Sequence, residues 1–172
     1  MRKILDEDFF VGETLFITKN LLGKYLVRRD GDKELALMTN EVEAYDGPED
    51  KACHAFKGKT PRTEIMFARG GRFYVYFVYG IHWMLNIVVG KEDYPAAILI
   101  RGAGDISGPA RLTKFLGIDK ALNNKSANEE SGLWFEDRGV IIDDERIITT
   151  PRIGVDYAGE IWSKKPYRFI IK

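Results

Sequence analysis

Residues 72–89, RFYVYFVYGIHWMLNIVV, hold this chain to an extended conformation more firmly than any other stretch. Aromatic and β-branched side chains fit a pleated, half-buried surface and crowd a helix. The run therefore reads as a hairpin, or as a strand followed by a bent strand, with Gly80 near its middle. On the first arm Phe73, Val75, Phe77 and Tyr79 face one way and Tyr74, Tyr76 and Val78 the other. Neither face is polar. Such a strand belongs at the centre of a sheet unless one face lines an apolar binding site, and Tyr79-Gly80 falls at a tip or bend.

The other segments add strands and few helices. KYLVRR, a turn at Asp30-Gly31 and ELALMTNEVEAY form another hairpin. AAILIRG is a short core strand ending in Arg101, where the chain leaves the core. WFEDRGVII, ERIITT, PRIGV and KPYRFIIK supply further short strands. Thr14 is a fair N-cap for LFITKNLL, which Gly23 closes, packing Leu15, Leu21 and Leu22 inward. SGPARLTKFLG reads as a helix from a Ser107 cap, with Pro109 in its first turn, burying Leu112, Phe115 and Leu116. Residues 123–131 form a polar loop. The expectation is an α+β fold: one compact domain over residues 1–172, a curved, mainly antiparallel β-sheet, few short helices and a protruding β-hairpin. A chain of 172 residues suffices to bury roughly two thirds of its unfolded surface.

The chemistry concentrates in EVEAYDGPEDKACHAF, residues 41–56. Alternation places Leu35, Leu37, Thr39, Glu41, Glu43 and Tyr45 on one face, running from core into a cleft. Asp46-Gly47-Pro48 turns the chain, and a short helical turn around Ala52 brings His54 back toward Tyr45. A carboxylate against an aromatic wall loses hydration on one side, which raises its pKa toward general-base use and lets it hold a water against an electrophilic carbon. Arg101 is placed to orient Glu43 or that water. Tyr45, His54 and Tyr76 make two walls of a slot as wide as a flat ring, and an aromatic face attracts a cationic heterocycle.

Lys plus Arg equals Asp plus Glu at 26 each, so net charge points to no partner, but its distribution does. Lys57, Lys59, Arg62, Arg69 and Arg72 lie within residues 56–72 against the single acid Glu64, a candidate surface for a nucleic-acid backbone. Cys53 is the only cysteine, and no Cys/His cluster has metal-ligand spacing, so neither disulfide nor metal is expected and a reducing cytoplasm is the natural setting. The N-terminal segment is charged too early for a secretory signal, and no apolar run approaches the ~20 residues of a membrane span. Two rival readings stay open. A non-catalytic module would use the slot and basic run to hold damaged or single-stranded DNA. A nucleoside or sugar glycosidase would use Glu41 and Glu43 as a carboxylate pair.

EVEAYDGPEDKACH, TPR, MF, YVYFVYG, MLN, ILIR, SGP and RIGVDYAGE followed by KPYRF, in that order, resemble the alkyladenine DNA glycosylase family, also called 3-methyladenine or methylpurine DNA glycosylases, almost end to end. The resemblance implies a compact mixed domain whose hairpin enters the DNA minor groove. It implies base-excision repair of damaged double-stranded DNA: an alkylated or deaminated purine is flipped out and its N-glycosidic bond hydrolysed, with no cofactor and no strand-cleaving step. By position, Glu43 matches the general base, Arg101 the arginine that helps hold the water, and Ile153 a backbone carbonyl contact to it. Tyr45, His54 and Tyr76 match the stacking pocket, Asn86 the residue that obstructs guanine's 2-amino group, and Tyr79 the side chain wedged into the duplex. Glu41 is given no catalytic part. A monomer is expected, nucleoid-associated if bacterial. One departure stands out: only GAGDI separates Arg101 from Ser107, where the family usually carries a longer, partly basic segment, which implies weaker duplex affinity.

Overall fold

The computed structural model describes residues 2–172; Met1 lies outside them. In chain order the elements are β1 (Lys3–Ile4), α1 (Thr14–Leu21), β2 (Tyr25–Asp30), β3 (Lys33–Asp46), β4 (Phe73–Val78), β5 (His82–Val88), β6 (Ala96–Ala103), β7 (Ile106–Ser107), α2 (Pro109–Phe115), β8 (Leu133–Asp137), β9 (Ile147–Thr150), α3 (Gly159–Ser163) and β10 (Arg168–Ile171). The strand pairings are antiparallel, in the order β1-β8-β2-β3-β6-β5-β4. β7 lies beside β6, and a β9-β10 pair docks on β3. A mostly antiparallel sheet with three short helices is an α+β fold. No helix among the described residues is long and apolar enough to cross a membrane.

β3, 14 residues long, is the strand that the others share. Its first half pairs with β2, closing at Asp30↔Lys33, so the turn residues are Gly31 and Asp32 rather than Asp30 and Gly31. Gly31 takes the positive φ of 58° that a tight hairpin turn requires. The second half runs between β6 and β10, and its register slips twice. Thr39 pairs with Ala103 and Glu41 with Gly102, leaving Asn40 unopposed; Val42 then pairs with Ile100, leaving Arg101 unopposed. Leu37 and Val42 both pack on the main core, an odd separation that strict alternation forbids. The bulge at Asn40 takes up the difference, so the expected single face does not run unbroken from Leu35 to Tyr45. Nor does Arg101 end its strand: it sits inside β6 at the second slip, where a bulge re-aims a side chain.

Residues 72–89 form a hairpin, but β4 lies at the sheet edge, not its centre. One face, Phe73 and Val75, packs on the main core. Tyr74 and Tyr76, on the other, belong to a second cluster with Cys53, Met66, Val88 and Ala97. Burying a phenylalanine contributes about 2–3 kcal/mol, and Phe73 is fully buried. The free edge of β4 is closed by the polar loop: Phe73 donates to the Lys125 carbonyl at 2.9 Å and Val75 to Asn123 Oδ1 at 2.9 Å. Beyond this closure the hairpin projects, and Phe77, Tyr79 and Ile81 are exposed.

Several local details differ from the sequence reading. Glu13, not Thr14, caps α1, accepting from the amides of Leu15 and Phe16. Ser107 lies in β7, and α2 starts from Gly108 without a side-chain cap. Phe115 is 58% exposed. Residues 151–155, PRIGV, form no strand, and the helical turn that should surround Ala52 is a 3₁₀ turn at His54–Lys57.

Candidate active site

Glu43 has no solvent-exposed surface. The Tyr45 hydroxyl donates to Oε2 at 3.0 Å and the Ile153 backbone N–H to Oε1 at 2.8 Å, while Arg101 Nη1 stands 3.5 Å from Oε1. Burial raises the Glu43 pKa above the usual glutamate range; Arg101, the Ile153 amide and Tyr45 pull against that rise without cancelling it. Each carboxylate oxygen has two acceptor sites, so both retain capacity for a water.

Glu41, on the same face, is held differently. Its Oε1 accepts from Arg101 Nε at 2.9 Å and from Arg168 Nε at 2.7 Å. Arg101 therefore bridges the two carboxylates, and the acid nearer the bulge is spent on two arginines.

Beside this cluster opens a cavity of about 340 Å³ whose lining includes Tyr45, His54, Tyr76, Tyr79, Asn86, Arg101 and Ile153. The sequence places these residues on four separate segments, and the fold brings them to one surface. His54 Nδ1 lies 3.1 Å from the Tyr74 hydroxyl, and its ring packs edge-on to Tyr76 at 4.7 Å. Burial, helped by the Arg62 charge, lowers the His54 pKa to about 4, so the imidazole is neutral near pH 7. Asn86 is buried and donates to the Tyr74 carbonyl at 3.1 Å, which fixes the amide against the cavity wall. Tyr79 is 91% exposed at the hairpin tip, with a positive φ of 52°. Ile153 touches Glu43 through its N–H, a contact the sequence reading did not foresee.

The basic run does not stay together. Lys57 and Arg62 line a groove behind His54. Lys59 faces Asp93 and the Phe67 ring, Arg69 pairs with Asp8, and Arg72 binds Asn124 in the loop that closes β4.

Sequence reasoning missed the pair that ties the site together. Arg152 is buried and makes a bidentate contact with buried Asp50, also donating to the Ala44 carbonyl at 2.8 Å and the Trp162 carbonyl at 3.3 Å. Its guanidinium lies 4.7 Å from the Tyr45 ring centre and 5.2 Å from that of Tyr167. Asp50 also accepts from the amides of Asp46 and Ala52. One ion pair thus fixes the Tyr45 wall, the turn leading to His54 and the loop that offers the Ile153 amide. Neither residue sits in a pattern that announces burial, although charges that flank a glycine-proline turn and follow a proline deserve suspicion.

A family model described as methylpurine-DNA glycosylase matches residues 8–106 and 104–172. A protein of Methanocella arvoryzae named "Putative 3-methyladenine DNA glycosylase" is 40% identical over 98% of this chain and 92% of its own length. Proteins with the same name from Legionella pneumophila (strain Paris) and Natranaerobius thermophilus are 41% and 36% identical, covering 100% and 98% of this chain and 96% and 95% of their own lengths.

Proposed function

The chain belongs to the methylpurine-DNA glycosylase family, and from that premise we propose that it releases 3-methyladenine and related damaged purines from double-stranded DNA by hydrolysis at a Glu43-held water. The observation that carries the reading is Glu43 itself: a buried carboxylate with a raised pKa, anchored by Tyr45 and Ile153, beside a cavity with aromatic walls.

A base stacked in a duplex offers its glycosidic bond to no catalyst, so the nucleotide must leave the helix. Tyr79, exposed at the hairpin tip, fills the gap it vacates. The extruded purine lies between Tyr45 and the His54–Tyr76 wall, with the Asn86 amide at its edge. Water adds to the sugar C1′ as the C1′–N9 bond breaks. The bonding pair leaves with the base, and Glu43 takes the water proton while its charge steadies the oxocarbenium-like transition state. An alkylated base such as 3-methyladenine already carries positive charge and departs neutral. A neutral lesion needs a proton or another source of stabilisation, which His54, neutral near pH 7, does not supply as an acid.

The carboxylate-pair glycosidase reading loses ground because Glu41 is locked by Arg101 and Arg168. Base release from duplex DNA containing one 3-methyladenine, ethenoadenine or hypoxanthine tests the proposal, with undamaged duplex as control. Glu43→Gln should abolish release with lesion binding retained, and Glu41→Gln should be far milder. The reverse ranking would move the base to Glu41; no release by the wild type would leave a binding module.

A further inference from the structure

Behind the His54 wall lies a second concavity, a groove of about 660 Å³ lined by Lys51, His54, Phe56, Lys57, Arg62 and Tyr157 among others, with no carboxylate in its lining. It meets the cavity of the candidate active site at His54 and Tyr157, which line both. Lys51, Lys57 and Arg62 are exposed, and none makes an ion pair among the described residues, whereas neighbouring Lys59 and Arg69 face Asp93 and Asp8. Arg62 lies over the Tyr76 ring at 5.4 Å, against the back of the stacking wall. Tyr157 is 69% exposed, yet its hydroxyl is tied to the Ala52 carbonyl at 2.9 Å, so the ring is held at the rim with most of its surface free.

Unpaired cations around a trough with exposed aromatic rings are what a polynucleotide strand needs: charge for the phosphates, flat apolar faces for bases, and no sequence-reading pattern. We propose that this groove is a subsite for the nucleotide next to the extruded one on the damaged strand, with consecutive phosphates of that strand held by Lys51, Lys57 and Arg62, one each, and the neighbouring base laid against Tyr157. Shared walls give the position: a strand that delivers one purine into the cavity crosses the rim at Tyr157. This subsite rests on the active-site reading, but binding tests it independently of catalysis. Because stacking on an aromatic ring tolerates any base, the neighbour should matter by its presence, not its identity.

The experiment measures anisotropy of duplexes carrying one ethenoadenine, with base release followed on the same samples. Tyr157→Ala should weaken lesion binding by roughly tenfold, within the range of one base stacked on an aromatic side chain. The wild type should lose a similar factor when an adjacent nucleotide is replaced by an abasic analogue, and Tyr157→Ala should lose little more on that substrate. Tyr157→Phe, which keeps the ring, should retain the neighbour effect and so separates stacking from loss of the tether. Lys51→Gln/Lys57→Gln should lower the slope of log affinity against log salt by ~1.8, about 0.9 for each phosphate contact. Independent losses from Tyr157→Ala and the abasic neighbour, or an unchanged salt slope in the double lysine variant, would overturn the subsite. No base release by the wild type with these binding effects intact would overturn the active-site reading alone.

Discussion

Glu43 sits at a place that penalises charge. Its folded pKa lies above the unfolded value because burial outweighs Arg101, the Ile153 amide and Tyr45. Stability associated with its protonated form is complete below the unfolded pKa of about 4.3 and is lost as pH rises through the raised folded pKa. Glu43→Gln should therefore be more stable than the wild type near pH 7, by on the order of 1 kcal/mol. That advantage should vanish in acid, which melting curves across pH would show. A variant less stable than the wild type at neutral pH would mean the carboxylate is a net stabiliser. Base release should fall as pH drops through the raised pKa, with the acid limb above the ordinary glutamate range. Tyr79 carries strain of another kind: a bulky residue at φ 52° with 91% of its surface in solvent. Tyr79→Gly should relieve that strain, leaving the melting temperature unchanged or higher. It should also weaken flipping, reported by 2-aminopurine beside the lesion. Asn86→Ser removes an amide fixed by the Tyr74 carbonyl and should raise activity on guanine derivatives relative to adenine lesions in competition assays.

The ion pair of Arg152 and Asp50 joins four segments, and its two members push the electrostatics of the site in opposite directions. Glu43 is contacted by Tyr45 from β3, Arg101 from β6 and the Ile153 amide, and Arg152, Tyr76 and Tyr157 lie within reach of its charge; Arg101 links it to Glu41, which Arg168 from β10 also holds, and Arg152 links it to Asp50 in the turn after β3. Arg152→Met removes a cation that favours ionised Glu43, so the acid limb of base release should move to higher pH. Asp50→Asn leaves that cation uncompensated, and the limb should move lower. Both substitutions break the same buried pair and should cost about 3–5 kcal/mol of stability. A purely structural role therefore predicts the same change in both pH profiles, and parallel shifts would refute the electrostatic one. The elements so joined were unevenly legible. The hairpin over 72–89 could be read because aromatic and β-branched residues have few alternatives, whereas the edge position of β4 depends on a polar loop some fifty residues away. The convergence of Glu43, Tyr45 and His54 followed from alternation plus a turn, whereas Arg101 reaches them from a register slip inside β6 and not from a strand end. The bulge at Asn40 did not, because a register slip is decided by the partner strand. PRIGV looked like a strand by composition, but its arginine finds Asp50 and its isoleucine amide finds Glu43, and both pull the backbone out of any ladder.

The molecule as a whole carries no net charge, so its grip on a polyanion depends on where cations are left free. Of the five basic residues that a linear reading groups into one surface, the fold assigns Arg69 to Asp8, Arg72 to Asn124 and Lys59 toward Asp93. Lys57 and Arg62 remain, joined by Lys51 from the turn before His54. The connection from Arg101 to Ser107 supplies no further surface: Ala103 pairs with Ile106 across a turn at Gly104-Asp105, so the short segment closes as a tight hairpin beside β6 with an acid at its tip. If each free cation neutralises one phosphate, binding to undamaged duplex should be weak, with a slope of log affinity against log salt of ~3 in magnitude, about 0.9 for each contact. Salt titration of the wild type gives that slope. Arg69→Gln/Arg72→Gln should leave it unchanged, because those side chains already have partners and sit apart from the groove. A slope well beyond this value, or one that drops in the Arg69→Gln/Arg72→Gln protein, would show that DNA displaces Asp8 and Asn124 and that the duplex reaches the outer edge of β4.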